Sequence, residues 1–162
     1  MKKTNISLLK STYFLLIGII LFSCNQNVTL KNEGSNQTES IETKNCYFSG
    51  ISTDSIFLTI NIAKDSITGS LDYIPYEKDG RIGTLYNGFF SGDTLFAMYN
   101  STQEGQTSDC EMALLKKGNG YVLTNDIWGN NYTYNADYTK GSFVDKGKIK
   151  FDGEEVNPKD CK

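Results

Sequence analysis

The side chains that could do chemistry are few, and those that are missing decide most. The 162-residue chain has no histidine. That removes Ser-His-Asp and Cys-His nucleophile arrangements and every metal site built on imidazole. No Cys-x-x-Cys, phosphate-binding glycine loop, Gly-x-Ser-x-Gly or calcium-loop spacing occurs. Ser-x-x-Lys is absent beyond residue 23, so a Ser-Lys acylase is not supported either. Two carboxylates meeting in a cleft could serve a hydrolase, yet no spacing among the Asp and Glu residues singles out a pair. The chain therefore reads as non-catalytic and without a cofactor.

Binding chemistry is better represented. Trp128, Tyr132, Tyr134 and Tyr138 lie close to Asn130 and Asn131. Aromatic faces beside amide donors can stack on and hydrogen-bond a sugar or another planar ligand. The competing reading is strand packing, because strands are normally rich in tyrosine. Asp152, Glu154 and Glu155 surround Gly153 and offer oxygens to a hard cation, although a solvated acidic turn explains them as well. Three triplets, Asp54-Ser55-Ile56, Asp65-Ser66-Ile67 and Asp93-Thr94-Leu95, resemble the acceptor sequence of Bacteroidota O-glycosylation. Turns that deliver Asp and Ser or Thr directly into strands produce the same pattern.

Cysteine carries the remaining chemistry. Leu21-Phe22-Ser23-Cys24 ends an apolar run, Tyr13 to Phe22, that follows the basic start Met1-Lys2-Lys3. This layout resembles the lipobox of bacterial lipoproteins, which implies cleavage before Cys24 and a lipid anchor on its sulfur. The run is shorter than the ~20 residues a spanning helix needs. Cys46, Cys110 and Cys161 remain, an odd number in an oxidising compartment. A Cys46–Cys161 bridge would close almost the whole domain and contribute on the order of 4–5 kcal/mol by loop entropy, leaving Cys110 free. Spacing does not fix connectivity, so three reduced thiols stay open as the alternative.

These groups have to be positioned by one domain. Removing residues 1–23 leaves 139, which fits a single folded unit. Lys2, Lys3 and Lys10 leave with the leader, so 13 basic residues face 19 acidic ones, a net charge of −6. Such a protein is a poor nucleic-acid binder and gains nothing from anionic headgroups. Residues 24–44 are polar and rich in Asn, Gln, Ser, Thr and Glu, the composition of a flexible tether.

From residue 45 the chain reads as strands. Ile56, Leu58, Ile60 and Ile62 alternate with Phe57, Thr59 and Asn61, the period of a half-buried strand. A first short strand is expected at Cys46–Gly50, and Gly69 marks a close approach or bulge. Asp79-Gly80 suggests a tight hairpin, as do Gly92, Gly105 and Lys117-Gly118-Asn119-Gly120. Bulky residues on both faces of 83–90 and 93–99 suggest burial on each side. A short helix fits near Thr124 to Asn130. The total is eight to ten short strands in an antiparallel meander. Closing them into a lipocalin-like barrel would hide the edges, with a small β-sandwich as the alternative.

With the strands placed, Asp54-Ser55-Ile56-Phe57-Leu58, Gly69-Ser70-Leu71, Tyr76-Glu77-Lys78-Asp79, Gly83-Thr84-Leu85 and Gly92-Asp93-Thr94-Leu95-Phe96-Ala97 resemble a family of small, uncharacterised Bacteroidota lipoproteins. Glu104-Gly105, Leu115-Lys116-Lys117, the opening Cys46-Tyr47 and the terminal Cys161 fit the same pattern. The resemblance implies an envelope location and a Cys46–Cys161 disulfide, but no activity. Where members carry Arg-Glu this chain has Cys110-Glu111, which fits a leftover thiol.

Two functions are expected from this reading. One is a lipid-anchored binding module that takes a small apolar or glycan ligand in the barrel mouth. The other is an envelope interaction, structural or inhibitor protein with a packed core. The expected location is the outer membrane, facing the periplasm, because residues 25–29 lack the acidic cluster of surface-exported lipoproteins.

Overall fold

The computed structural model describes residues 42–162; the leader, Cys24 and all but the last three residues of the tether lie outside them. Seven strands run in sequence: β1 (Glu42–Ile51), β2 (Asp54–Ala63), β3 (Ser66–Ile74), β4 (Arg81–Ser91), β5 (Thr94–Gln103), β6 (Gln106–Lys117) and β7 (Gly120–Leu123). Each pairs antiparallel with the next. The last strand, β10 (Glu155–Lys159), returns between β7 and β1. Eight strands thereby close into a barrel with no free edge, the arrangement that removes exposed strand edges altogether.

Two short strands stand outside that ring. β8 (Tyr132–Tyr134) and β9 (Lys140–Phe143) form an antiparallel pair, and β9 runs parallel to β6 at Asp109↔Lys140 and Cys110↔Gly141. They fit because β7 is only four residues long and covers just Leu114–Lys117 of β6. The other half of that β6 edge would otherwise present unpaired backbone groups. The Asp109 amide donates to the Thr139 carbonyl at 2.7 Å, which caps the vacancy.

Alternation fills the interior. Ile56, Leu58 and Ile60 of β2 point inward and are buried, whereas Phe57 between them is 38% exposed. Leu95 and Leu114 join them, with Val156 completely buried in the closing strand. Each such side chain contributes about 1.5–3 kcal/mol by leaving water. A second cluster forms on the outside of β5 and β6, where Phe96 and Ala113 are covered by Tyr132 and Phe143. Of the two segments expected to be buried on each side, 83–90 and 93–99, only the one in β5 is. In β4 the outward Ile82 is 61% exposed, because the chain that crosses the outer face reaches β5 and β6 alone.

Several local expectations change in contact with neighbours. β1 starts at Glu42, pairing it with Ala63, since the long β2 edge can bind polar backbone as readily as apolar. Residues 75–80 form an open loop; among the described residues the glycines with positive φ are Gly92, Gly105 and Gly118, so Asp79-Gly80 does not make the tight hairpin. The expected helix is one 3₁₀ turn, Asp126–Trp128. Tyr132, Tyr134, Ala136 and Tyr138 alternate with polar residues in the sequence, but the strand stops at Tyr134 and the chain enters a turn where Asp137 accepts from the Thr139 amide and hydroxyl.

The seam that closes the ring is its shortest ladder. β1 and β10 share three residue pairs and β10 and β7 share two. Cys46 and Cys161 are disulfide-bonded at the edge of this seam, 115 residues apart, and Cys110 is a free thiol. Replacing both bridged cysteines by serine should lower the unfolding free energy by about 4 kcal/mol in denaturant titrations. Gly69 gives a second test, because a Cβ there would run into the Thr59 carbonyl oxygen of the neighbouring strand. Gly69→Ala should cost at least as much as a large core truncation, about 3 kcal/mol or more, in the same titration.

Candidate binding site at the open end of the barrel

The two ends of the barrel differ. Glu42, the β2–β3 turn, Gly92, Gly118 and the disulfide lie towards one end, as the registers Glu42↔Ala63 and Cys46↔Lys159 require. At the other end, the starts of β4 and β6 and the ends of β3, β5 and β7 surround a cleft. Its volume is about 880 Å³. A second space of about 400 Å³ continues it downward to Ile56, Leu71 and Met112. Arg81, Tyr99, Gln103 and Trp128 line both spaces.

Strand alternation supplies the floor. Tyr99, Ser101 and Gln103 of β5 face inward beside Ser108, Cys110 and Met112 of β6. The Tyr99 hydroxyl crosses the lumen to donate to the Leu71 carbonyl at 2.7 Å, which closes the packed region below. Burial raises the Tyr99 pKa far above its ordinary value.

The wall is the segment that replaced β7 and is held by polar clamps. Thr124 donates its hydroxyl to the Lys150 carbonyl at 2.8 Å and accepts from the Asp126 amide at 2.9 Å. Buried Asp126 accepts from the Asn131 side-chain amide at 2.9 Å, and Asn131 also exchanges hydrogen bonds with the Asp145 backbone. These contacts fix the 3₁₀ turn that presents Trp128, which is 72% exposed.

An aromatic row runs from there. Ring centroids lie 6.4 Å apart for Trp128 and Tyr134, 5.0 Å for Tyr134 and Tyr132, and 5.8 Å for Tyr134 and Tyr138. Tyr132 is buried and donates to the Glu111 carbonyl at 3.1 Å; Tyr134 donates to the Ile127 carbonyl at 3.3 Å. Tyr138, with φ of 60°, is 73% exposed.

The sequence expectations separate accordingly. Trp128, Tyr132 and Tyr134 line the cleft together with Tyr138. Asn130 does not: it is exposed and outside the lining, because its neighbour Asn131 turns inward to serve the clamp. Packing and site are both present in this row, with Tyr132 committed to the core and Trp128 and Tyr138 left open. Asp152, Glu154 and Glu155 part company, since Glu155 pairs with Lys117 at 2.7 Å while Glu154 faces the smaller space. Among the described residues no three acidic or thiol side chains converge to hold a cation. The triplets at Asp54, Asp65 and Asp93 each open a strand at a turn.

Arg81 was not singled out by spacing, nor were Gln103 and Ser108. The available signal was composition, since Arg81 is the only arginine in the chain. The chain matches no family model, no curated protein and no solved structure. The site therefore rests on its geometry.

Tyrosine burial makes the site sensitive to alkali. Tyr99 and Tyr132 are both held protonated mainly by burial, and Tyr121 is pushed up to about 12 in the core. Above pH ~10 the unfolded chain loses these protons while the folded chain keeps them, so stability must fall as pH rises. The slope approaches roughly 1.4 kcal/mol per pH unit for each such tyrosine. Denaturant midpoints measured from pH 8 to 11 should be flat below pH ~9.5 and then drop, with the share of ultraviolet phenolate absorbance due to the buried tyrosines withheld until unfolding.

Proposed function

We propose that this protein is a non-catalytic binding module of the bacterial cell envelope, anchored by lipid on Cys24, which takes a saccharide in the cleft at the mouth of its barrel. The observation that carries this reading is the aromatic row itself. Trp128 and Tyr138 expose their rings beside a floor that offers Ser101, Gln103 and Ser108. Flat apolar faces suit the C–H faces of a sugar ring, and the hydroxyls and amides suit its rim. Neither ring is needed for the barrel core, so their exposure is unexplained by folding.

β1 starts at the end opposite the mouth. In this reading the lipid on Cys24 anchors the protein to the outer membrane, facing the periplasm. No nucleic acid or cofactor enters this reading.

One observation favours a second reading, an envelope protein partner. Tyr76 and Ile74 stand exposed on the β3–β4 rim, 69% and 46%, with exposed Ile82 on the neighbouring β4, and an apolar rim of this kind can seat a protein surface.

Calorimetric titration of the full-length protein in detergent with a panel of neutral and acidic oligosaccharides tests the first reading. At least one should bind saturably, and Trp128→Ala should weaken it about tenfold without changing the melting temperature. A flat response across the panel would reject saccharide binding and turn attention to the protein partner.

A further inference from the structure

Arg81 is the sole arginine of the chain, and the fold places it in the cleft. It opens β4 on the inward face, directly across from Tyr73. Its guanidinium lies 5.9 Å from the centre of the Trp128 ring, and its Nε donates to the Gln103 side-chain oxygen at 3.1 Å. Gln103 holds one side of the fork, and the Trp128 ring lies beside it.

The rest of the fork is unused. Among the described residues the ion pairs are Lys117–Glu155, Lys146–Glu111 and Lys148–Asp145, and none includes Arg81. Among the described residues the side-chain hydrogen bond of Arg81 is the one its Nε makes, and its terminal nitrogens make none. The carboxylates lining the larger space are committed elsewhere or sit at its margin, and Glu154 lines only the smaller one. Glu111 holds Lys146 at 3.1 Å and the Phe143 amide at 2.9 Å. Asp137 is satisfied by Thr139, which holds its carboxyl below the ordinary range. Glu104 is exposed on the β5–β6 turn.

A permanently charged, pre-oriented guanidinium with a free edge is the standard receptor for a planar oxyanion, because two parallel N–H groups match the two oxygens of a carboxylate. The mature body carries a net charge of −6, so general attraction does not bring an anion here. Only a local cation can.

We infer that the ligand of this cleft is an acidic saccharide of the uronic-acid type, with its carboxylate on the free edge of Arg81 and a sugar ring on Trp128. This rests on the saccharide reading above and specifies its ligand class.

The single arginine and the single tryptophan make the test site-specific. In ¹⁵N-labelled full-length protein in detergent, each gives one side-chain N–H resonance, to be followed during titration with trigalacturonic acid, its methyl ester and glucose 6-phosphate. Trigalacturonic acid should move both resonances. The ester should move the indole alone and bind about tenfold more weakly, as loss of a charge-assisted pair requires. Arg81→Lys and Arg81→Gln should weaken the acid about tenfold while leaving the ester within about twofold, which also shows that the variants fold.

Equal affinity for acid and ester with an unmoved Arg81 resonance would overturn this inference and leave saccharide binding standing. Binding of the phosphate with no response to the acid would overturn the carboxylate assignment. Silence towards all three would overturn this inference, and a flat response to the wider oligosaccharide panel would overturn the saccharide reading as well.

Discussion

Closure of the barrel through one short strand is the constraint on which the rest depends. β10 contributes five residues, pairs three with β1 and two with β7, and holds Val156 at the centre of the interior. So few ladder pairs make a weak join by themselves, and an open join would expose two strand edges. The Cys46–Cys161 disulfide lies beside this seam and ties the last turn of chain to the first strand. Lys159 lies over the Phe48 ring at 4.1 Å and reinforces the same contact. Side-chain packing, a covalent tie and a cation over an aromatic face thus converge on the segment with fewest backbone bonds.

The position of the seam also explains why one end of the barrel is open. The disulfide sits with Glu42 and the C-terminal residues at the closed end, where Leu58, Ile60, Leu95 and Leu114 fill the interior. Towards the other end β7 stops after four residues. The chain then spends residues 124–154 crossing the outside of β5 and β6 before it comes back as β10. A short strand in a closed ring leaves a gap in the wall. The gap is filled by a polar-clamped turn and a two-strand flap, and their side chains do not complete the core. Cleft and closure are two consequences of the same chain path.

Much of this path was legible in the sequence and some was not. Period-two alternation in Ile56–Ile62 gave β2 because burial on one face decides that pattern directly. The unusual position of Gly69 was readable for the same reason: a missing side chain inside an apolar run signals a close neighbour. Alternation at Tyr132 and Tyr134 hinted at β8, but the pairing of the β8–β9 flap with β6 was not readable, since such short strands owe their existence to an unpaired edge elsewhere in the chain. Asn130 and Asn131 are alike in one dimension, and only the pull of Asp126 and Asp145 decides which turns inward. Arg81 and Trp128 are 47 residues apart, and only closure of the ring brings them within cation–π distance.

The central claim is that Trp128 is exposed in order to meet a ligand. Because it is the sole tryptophan, the intrinsic fluorescence of the full-length protein reports on that ring without any label. The most direct measurement is the emission of Trp128 while a saccharide extract of the native envelope is titrated in. A saturable blue shift with reduced accessibility to iodide quenching is the expected result, as the ring passes from water to cover beneath a ligand. An emission that neither shifts nor loses its quenching at saturating extract would contradict the claim.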